Sequence, residues 1–303
     1  MQSAVDKSTP RQALLLTSAA QVMIGVFVKY LTQSDLSIWS QILLRNSIAG
    51  GLALIIVPTA IPAFIALDIQ EKKHVLIRSL FYIGAIYFFT LSLKTTSISN
   101  TNFVMAFPFI ALLGWVLFKD PISKIQTSLL FIAVAGIAII SGVTLSTFKF
   151  GEGEAYALLS SALFAAMFLW TRKIKDSLTN NEFSALTQVI IIPILLITVL
   201  VIPGPGDIIS NTSLKAFAFA SGAAVFILLS LLFKTSAAAR TDAATSNLWL
   251  STTPLFSIFA SIIFFSTTPG MRDLIGGTLI LLSSVAFVLT EKSKPQQSQL
   301  KLR

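Results

Sequence analysis

Apolar stretches long enough to cross a hydrocarbon core recur along the whole 303-residue chain, and no other feature restricts its fold as strongly. A core roughly 30 Å thick requires about 20 residues of helix. Candidate spans cover 11–31, 37–57, 74–93, 98–118, 125–146, 151–171, 182–202, 214–233, 242–265 and 271–290, each bounded by polar residues or Pro/Gly punctuation. With 54% hydrophobic and 12% charged residues, the chain is too apolar for a soluble domain of its length. Barrel-type alternation is absent, so the spans are read as helices. The first apolar run carries Gln21 and is longer than a signal-peptide core, so it is read as a retained span. The expected fold is an all-α membrane protein with ten transmembrane helices.

The segment from Asn100 to Phe118 holds Pro108 in mid-span and leads through a charged turn into a second apolar helix. Adding 146 places Pro108 on Pro254, Phe118 on Phe264 and Ile125 on Met271. A proline within a span has no amide hydrogen and frees a carbonyl one turn back, so protein or a wet cavity must accept the exposed backbone. The starts of the two halves also match. Adding 144 sets Ala13-Leu14-Leu15 on Ala157-Leu158-Leu159, Met23 on Met167 and Lys29 on Lys173, and Leu91–Thr95 resembles Leu231–Thr235. Ten spans then divide into five-helix units, 11–146 and 151–290, followed by a polar tail over 291–303. Five is odd, so the second unit enters the bilayer from the opposite side and the repeats are inverted.

Lys and Arg are retained on cytoplasmic flanks, which orients the chain. With the N-terminus inside, one side collects Lys7, Arg11, Lys72, Lys73, Arg78, Lys119, Lys124, Arg172, Lys173, Lys175, Lys234, Arg240, Lys292, Lys294, Lys301 and Arg303. The other holds Lys29, Lys94, Lys149, Lys215 and Arg272, while Arg45 falls within a span. Both termini are therefore expected in the cytoplasm.

The net charge of +9 does not imply nucleic acid, because the basic residues sit in short turns instead of one face interleaved with stacking aromatics. The 24 phenylalanines are spread through apolar helices, as lipid contact and packing require. Without cysteine there is no disulfide, thiol nucleophile or thiolate metal site. No G-x-x-x-x-G-K-[ST] segment exists for nucleotide hydrolysis. The sole histidine, His74, is read as a solvated loop residue, too isolated for a metal site or triad. No catalytic residue, metal or cofactor is expected. A membrane enzyme would need clustered Asp, Glu or His near the interface, and a membrane scaffold would not need paired proline helices.

Gly153-Glu-Ala-Tyr-Ala-Leu-Leu-Ser-Ser-Ala-Leu163, Arg172-Lys173, Arg45 in the second span and the two proline spans, each followed by a hairpin, resemble the EamA type of the drug/metabolite transporter superfamily over nearly the whole chain. The chain departs from that pattern after the ninth span, where Ser266-Thr-Thr-Pro-Gly270 lacks the acidic residue kept as Asp120 in the first half. The resemblance implies a secondary transporter in a plasma membrane, a bacterial inner membrane, exporting amino acids or related polar metabolites by alternating access. It implies a cavity lined by spans 1, 3, 4, 6, 8 and 9, whose polar and aromatic residues are Gln21, Tyr82, Tyr87, Asn100, Asn102, Trp170, Asn247 and Trp249. Amides there supply donor and acceptor, and Tyr and Trp an apolar wall with a polar tip. Each is also an ordinary packing or interface residue. Arg45 meets either a substrate anion or a structural partner such as Asn46, a carbonyl or a headgroup, and the structural role is favoured. Ala216, Ala220 and Ala224 allow a close helix approach. The prolines are expected to act as hinges. The alternative is a carrier of a larger anionic solute such as a nucleotide derivative, or a non-transport membrane protein. The span interiors lack Asp and Glu, with Glu154, Glu182 and Asp242 near span ends, so obligatory proton coupling is not expected.

Overall fold

Side chains that cap free amides set most of the helix starts. The computed structural model describes residues 9–118, 123–141, 151–170, 174, 178–238 and 252–292. Thr9 and Gln12 form a reciprocal capping box at the head of α1 (Pro10–Leu31), and Ser37 caps α2 (Ile38–Ile56). After the short α3 (Ala60–Ala66), Asp68 accepts from the Glu71 amide at 2.7 Å and starts α4 (Ile69–Thr95). That cap starts the third helix five residues before its expected bound at 74, so His74 and Arg78 stand inside the helix instead of at its edge. Ser97 caps α5 (Ile98–Met105), which is followed by α6 (Phe109–Phe118). Capping boxes at Ser123 and Thr179 open α7 (Lys124–Ile140) and α9 (Asn180–Val201), with α8 (Glu152–Trp170) between them. The second half continues with α10 (Pro205–Asn211), α11 (Leu214–Ala238), α12 (Thr253–Phe265) and α13 (Met271–Lys292).

No strand occurs among the described residues. Among the described residues seven helices, α1, α2, α4, α8, α9, α11 and α13, are long and apolar enough to cross a membrane, and α7 and α12 are shorter apolar helices. Their outer faces carry large exposed hydrophobics such as Phe131 at 71%, Ile263 at 70% and Phe259 at 63%. Water would penalise such a surface, whereas lipid does not. The chain is an all-α, multi-pass membrane protein.

Three features depart from the sequence expectation. The fourth span is two helices, α5 and α6, because Pro108 has no amide to donate and its ring would strike the carbonyl of Val104 in a continuous helix. Pro254 lies in the first turn of α12, where a missing amide is harmless, and the described residues begin only two positions before it. The linkers contribute the extra helices α3 and α10, and the positive φ of Gly204, 85°, turns the chain into α10.

The main helix pairs are α1 with α11, α4 with α8, α7 with α13, α2 with α9, α2 with α11 and α5 with α12. Ala216, Ala220 and Ala224 are at most 1% exposed, so the close approach expected of α11 is present. One apolar core joins Ile42, Leu43, Ile83, Ile86, Ile191 and Leu195 of α2, α4 and α9. Another joins Phe103, Val104, Ile137, Ile140 and Ile280 of α5, α7 and α13.

Candidate functional site

The break at Pro108 is held from the second half of the chain. In an unbroken helix the Phe109 amide would reach Met105 O, but it bonds to Phe107 O at 2.8 Å. Met105 O instead accepts from Ser161 Oγ on α8 at 3.0 Å, and Ala106 O accepts from Ser284 Oγ on α13 at 2.8 Å. Side-chain hydroxyls thus take the place of backbone amides where lipid would supply nothing.

A polar seam runs between α2, α4 and α9. Arg45, 2% exposed, donates from Nη2 to Thr90 Oγ1 at 2.9 Å, while Nη1 is buried without a partner. The expected compensator Asn46 does not serve, because its acceptor Oδ1 is without a partner and its Nδ2 donates to Ile42 O in its own helix. On the facing helix, Gln188 Nε2 donates to the Tyr82 hydroxyl at 3.0 Å, and Gln188 Oε1 is buried and unpartnered. Arg78 donates to Thr187 Oγ1 at 2.6 Å and stands 4.1 Å over the Phe183 ring. Tyr82 lies near enough to feel the charges of both Arg45 and Arg78. Arg45 is therefore not the only basic residue deep in a span, since Arg78 is 8% exposed within the lengthened α4.

The other expected site residues disperse. Gln21 is half-buried and accepts from Thr253 Oγ1 at 3.4 Å, joining α1 to α12. Tyr87 stacks on Trp39 of α2, with centroids 4.3 Å apart. Asn102 donates to Ile98 O in its own helix. The Trp170 ring lies 5.9 Å from His74 and 5.7 Å from Phe81, with its Nε1 buried and unpartnered. His74 is accordingly a half-buried helical residue, not a loop histidine. Asn247 and Trp249 lie outside the described residues, as does Asp242.

Asn100 belongs to a junction between the halves. Glu154 Oε1 accepts from Thr96 Oγ1 at 2.8 Å and from Asn100 Nδ2 at 3.5 Å. Lys29 reaches the end of α4 and donates to Leu93 O and to Thr96 O, the latter at 2.8 Å. The close fit rests on Gly153, where a Cβ would lie 2.6 Å from that of Thr96. Glu154 stands in the first turn of α8, near a span end as expected, and is only 8% exposed.

Sequence reading passed over Gln188, Arg78, Thr90, Ser161 and Ser284. Gln188 had a signal, being the one amide between Phe183 and Val201 of α9. The serines had none, since nothing in a sequence shows which carbonyl a hydroxyl will meet. Two kinds of element are now in place: a clamped discontinuity in a membrane helix, and a buried polar seam with unfilled hydrogen-bonding positions.

Residues 151–289 match the model of the EamA-like transporter family. No curated protein matches the chain in sequence. A protein chain of known crystal structure is similar at 15% identity with a TM-score of 0.57, over 93% of this chain and 98% of that one, which shows a shared fold alone. The likeness to the EamA-like transporter family is thus carried by residues 151–289, the second half of the chain.

Proposed function

We propose that the chain is a secondary transporter that exports a small polar organic metabolite, an amino acid or related compound, across a plasma membrane by alternating access. The observation that carries this reading is the EamA-like transporter match over residues 151–289. The ten-span, twofold organisation is part of the proposal. It is supported by helix pairing that maps onto itself when the halves are exchanged: α1 with α11 corresponds to α8 with α4, and α2 with α9 and α7 with α13 to themselves. In this reading the two halves rock about a site near the midplane, and the segments at Pro108 and Pro254 bend. Gln21, Tyr82, Tyr87, Asn100, Asn102, Trp170, Asn247 and Trp249 are the proposed substrate contacts, and Arg45 the partner for an anion.

The second buried guanidinium, Arg78, favours including larger anions among the candidate solutes. The test is uptake by proteoliposomes of purified protein, over amino acids, amines and nucleotide derivatives, against protein-free vesicles. Saturable flux of an amino acid is expected. Saturable flux confined to nucleotide derivatives would move the substrate to the larger anions, and no protein-dependent flux of any class would remove the transport reading.

A further inference from the structure

We propose that the seam between α2, α4 and α9 is the recognition site for a carboxylate of the transported solute, a proposal that rests on the transport reading and deepens it. Among the described residues Arg45 is the largest fully buried side chain, and only Thr90 hydrogen-bonds it, through Nη2. A guanidinium taken out of water and paired with one neutral hydroxyl is undercompensated. Nη1 keeps its hydrogens and has no acceptor. Buried polar atoms elsewhere in proteins nearly always find partners, so unpartnered ones on packed neighbouring helices point to an absent group.

The unfilled positions around Arg45 have both signs. Tyr82 already accepts from Gln188 Nε2, and its own hydroxyl hydrogen remains to be given. Arg45 Nη1 and the Tyr82 hydroxyl thus offer two donors, the number that the two oxygens of a carboxylate require. Gln188 Oε1 on α9 and Asn46 Oδ1, beside Arg45 on α2, are buried acceptors without donors, and both residues are 0% exposed. They suit an ammonium or amide hydrogen on the same solute. The helices can part here. Gly50 lets α2 lie against α9, where a Cβ would come 2.7 Å from Ile192 Cδ1, and Pro193 within α9 weakens that helix one turn beyond Gln188. The seam is closed around its polar atoms in this conformation, so the solute enters when α2 and α9 separate.

The experiment uses the full chain, with binding in detergent by protection against thermal unfolding and flux in proteoliposomes measured side by side. The probes are leucine with isoamylamine and alanine with ethylamine, pairs differing by the carboxylate, with inorganic phosphate as a competing anion. The wild type is expected to favour the carboxylate member of a pair at least tenfold. Arg45→Gln removes that preference and Arg45→Lys restores part of it. Should Arg45→Gln fold poorly, Gln188→Glu provides the second test: a carboxylate built into the seam pairs with Arg45, keeps the chain folded and excludes the solute's own. An unchanged preference in folded Arg45→Gln or Gln188→Glu, equal handling of each pair by the wild type, or protection by phosphate alone overturns the proposal. Flux of amines without carboxylates would defeat it while leaving transport standing. Carboxylate-specific protection without flux would support the site and remove the transport reading.

Discussion

Gly136 of α7 and Gly276 of α13 meet backbone to backbone. A Cβ on Gly136 would lie 2.6 Å from Gly276 O, and one on Gly276 would lie 2.5 Å from Gly136 O. Ile280 packs over the first glycine and Ile140 over the second, so the contact is reciprocal between residues 140 positions apart. Only residues without a side chain let two membrane helices approach so closely.

Gly136→Ala or Gly276→Ala should therefore push α7 and α13 apart, at a cost of about 1–3 kcal/mol typical of overpacking. Gly51→Ala is the control, because nothing lies within 4 Å of its added methyl and a helix-interior alanine is favoured by about 0.5–1 kcal/mol. Thermal unfolding midpoints in detergent check both. Equal midpoints for Gly136→Ala and wild type would show that the close approach is not required.

The clamp at the proline break makes a coupled prediction. Removing the hydroxyl in Ser161→Ala leaves Met105 O without its partner, worth about 1–3 kcal/mol for a buried carbonyl. In the Pro108→Ala background the helix can close and the Phe109 amide can take that carbonyl, so the serine should matter less. A double-mutant cycle on unfolding midpoints measures the difference. Under the proposed bending at both positions, with Pro108 interrupting the fourth span and Pro254 opening α12, transport by Pro108→Ala and Pro254→Ala should fall while expression stays near normal. Additive stabilities would disprove the clamp, and wild-type turnover by both alanine variants would disprove the hinges.

The predicted topology, with both termini cytoplasmic, rests on sixteen basic residues on one side against five on the other. The chain has no cysteine, so single introduced cysteines report without background. Gln70 at the head of α4 and Ser210 in α10 are both exposed, whereas Ser177 lies outside the described residues. In intact cells an impermeant maleimide should label Ser210→Cys and not Gln70→Cys or Ser177→Cys. The reverse pattern would invert the chain.

Legibility followed range. Hydropathy carries the long helices because each span must be apolar over its own length, and Pro108 marked a discontinuity because the effect of proline is local. Where a polar side chain finds its partner was not legible. Arg45 was visible as a buried charge, but its contact with Thr90 joins residues 45 positions apart, and that of Tyr82 with Gln188 joins residues 106 apart. Arg78 was misplaced because an Asp68 cap outweighed the polarity of Glu71-Lys-Lys-His74. Family likeness directed attention to spans 1, 3, 4, 6, 8 and 9, whereas Tyr82 and Tyr87 turn toward α9 and α2.

Asp207 of α10 ties the two halves outside the spans, accepting from the Ser37 amide at 3.1 Å and from Asn211 Nδ2 at 3.0 Å. Burial pushes its carboxyl up, but hydrogen bonds from Ser40, Ser37 and Asn211 outweigh this and hold it below the ordinary carboxylate value. A depressed folded value means that the stabilisation is present above the unfolded value of about 4 and is lost as pH falls through the folded one. Asp207→Asn should lower the unfolding midpoint at pH 7, and the gap from wild type should narrow as the pH drops below about 4. A gap independent of pH would show that the carboxylate charge contributes nothing.

Energy coupling turns on Glu154. It is buried, yet its position at the head of α8 and its bonds to Thr96 and Asn100 make it a tie between the halves, not a group at the centre of a pathway. Transport is therefore predicted to follow the solute gradient, together with the membrane potential where net charge moves, and not to require a proton. With the solute gradient fixed and internal and external pH varied separately, proteoliposomes should show no uphill accumulation from a pH gradient alone. Glu154→Gln keeps an acceptor for the Thr96 hydroxyl, so it should retain most of the flux, whereas Glu154→Leu removes the tie and should lower flux at every pH. Accumulation driven by a pH gradient and abolished by Glu154→Gln would overturn the prediction and make Glu154 the proton-carrying residue.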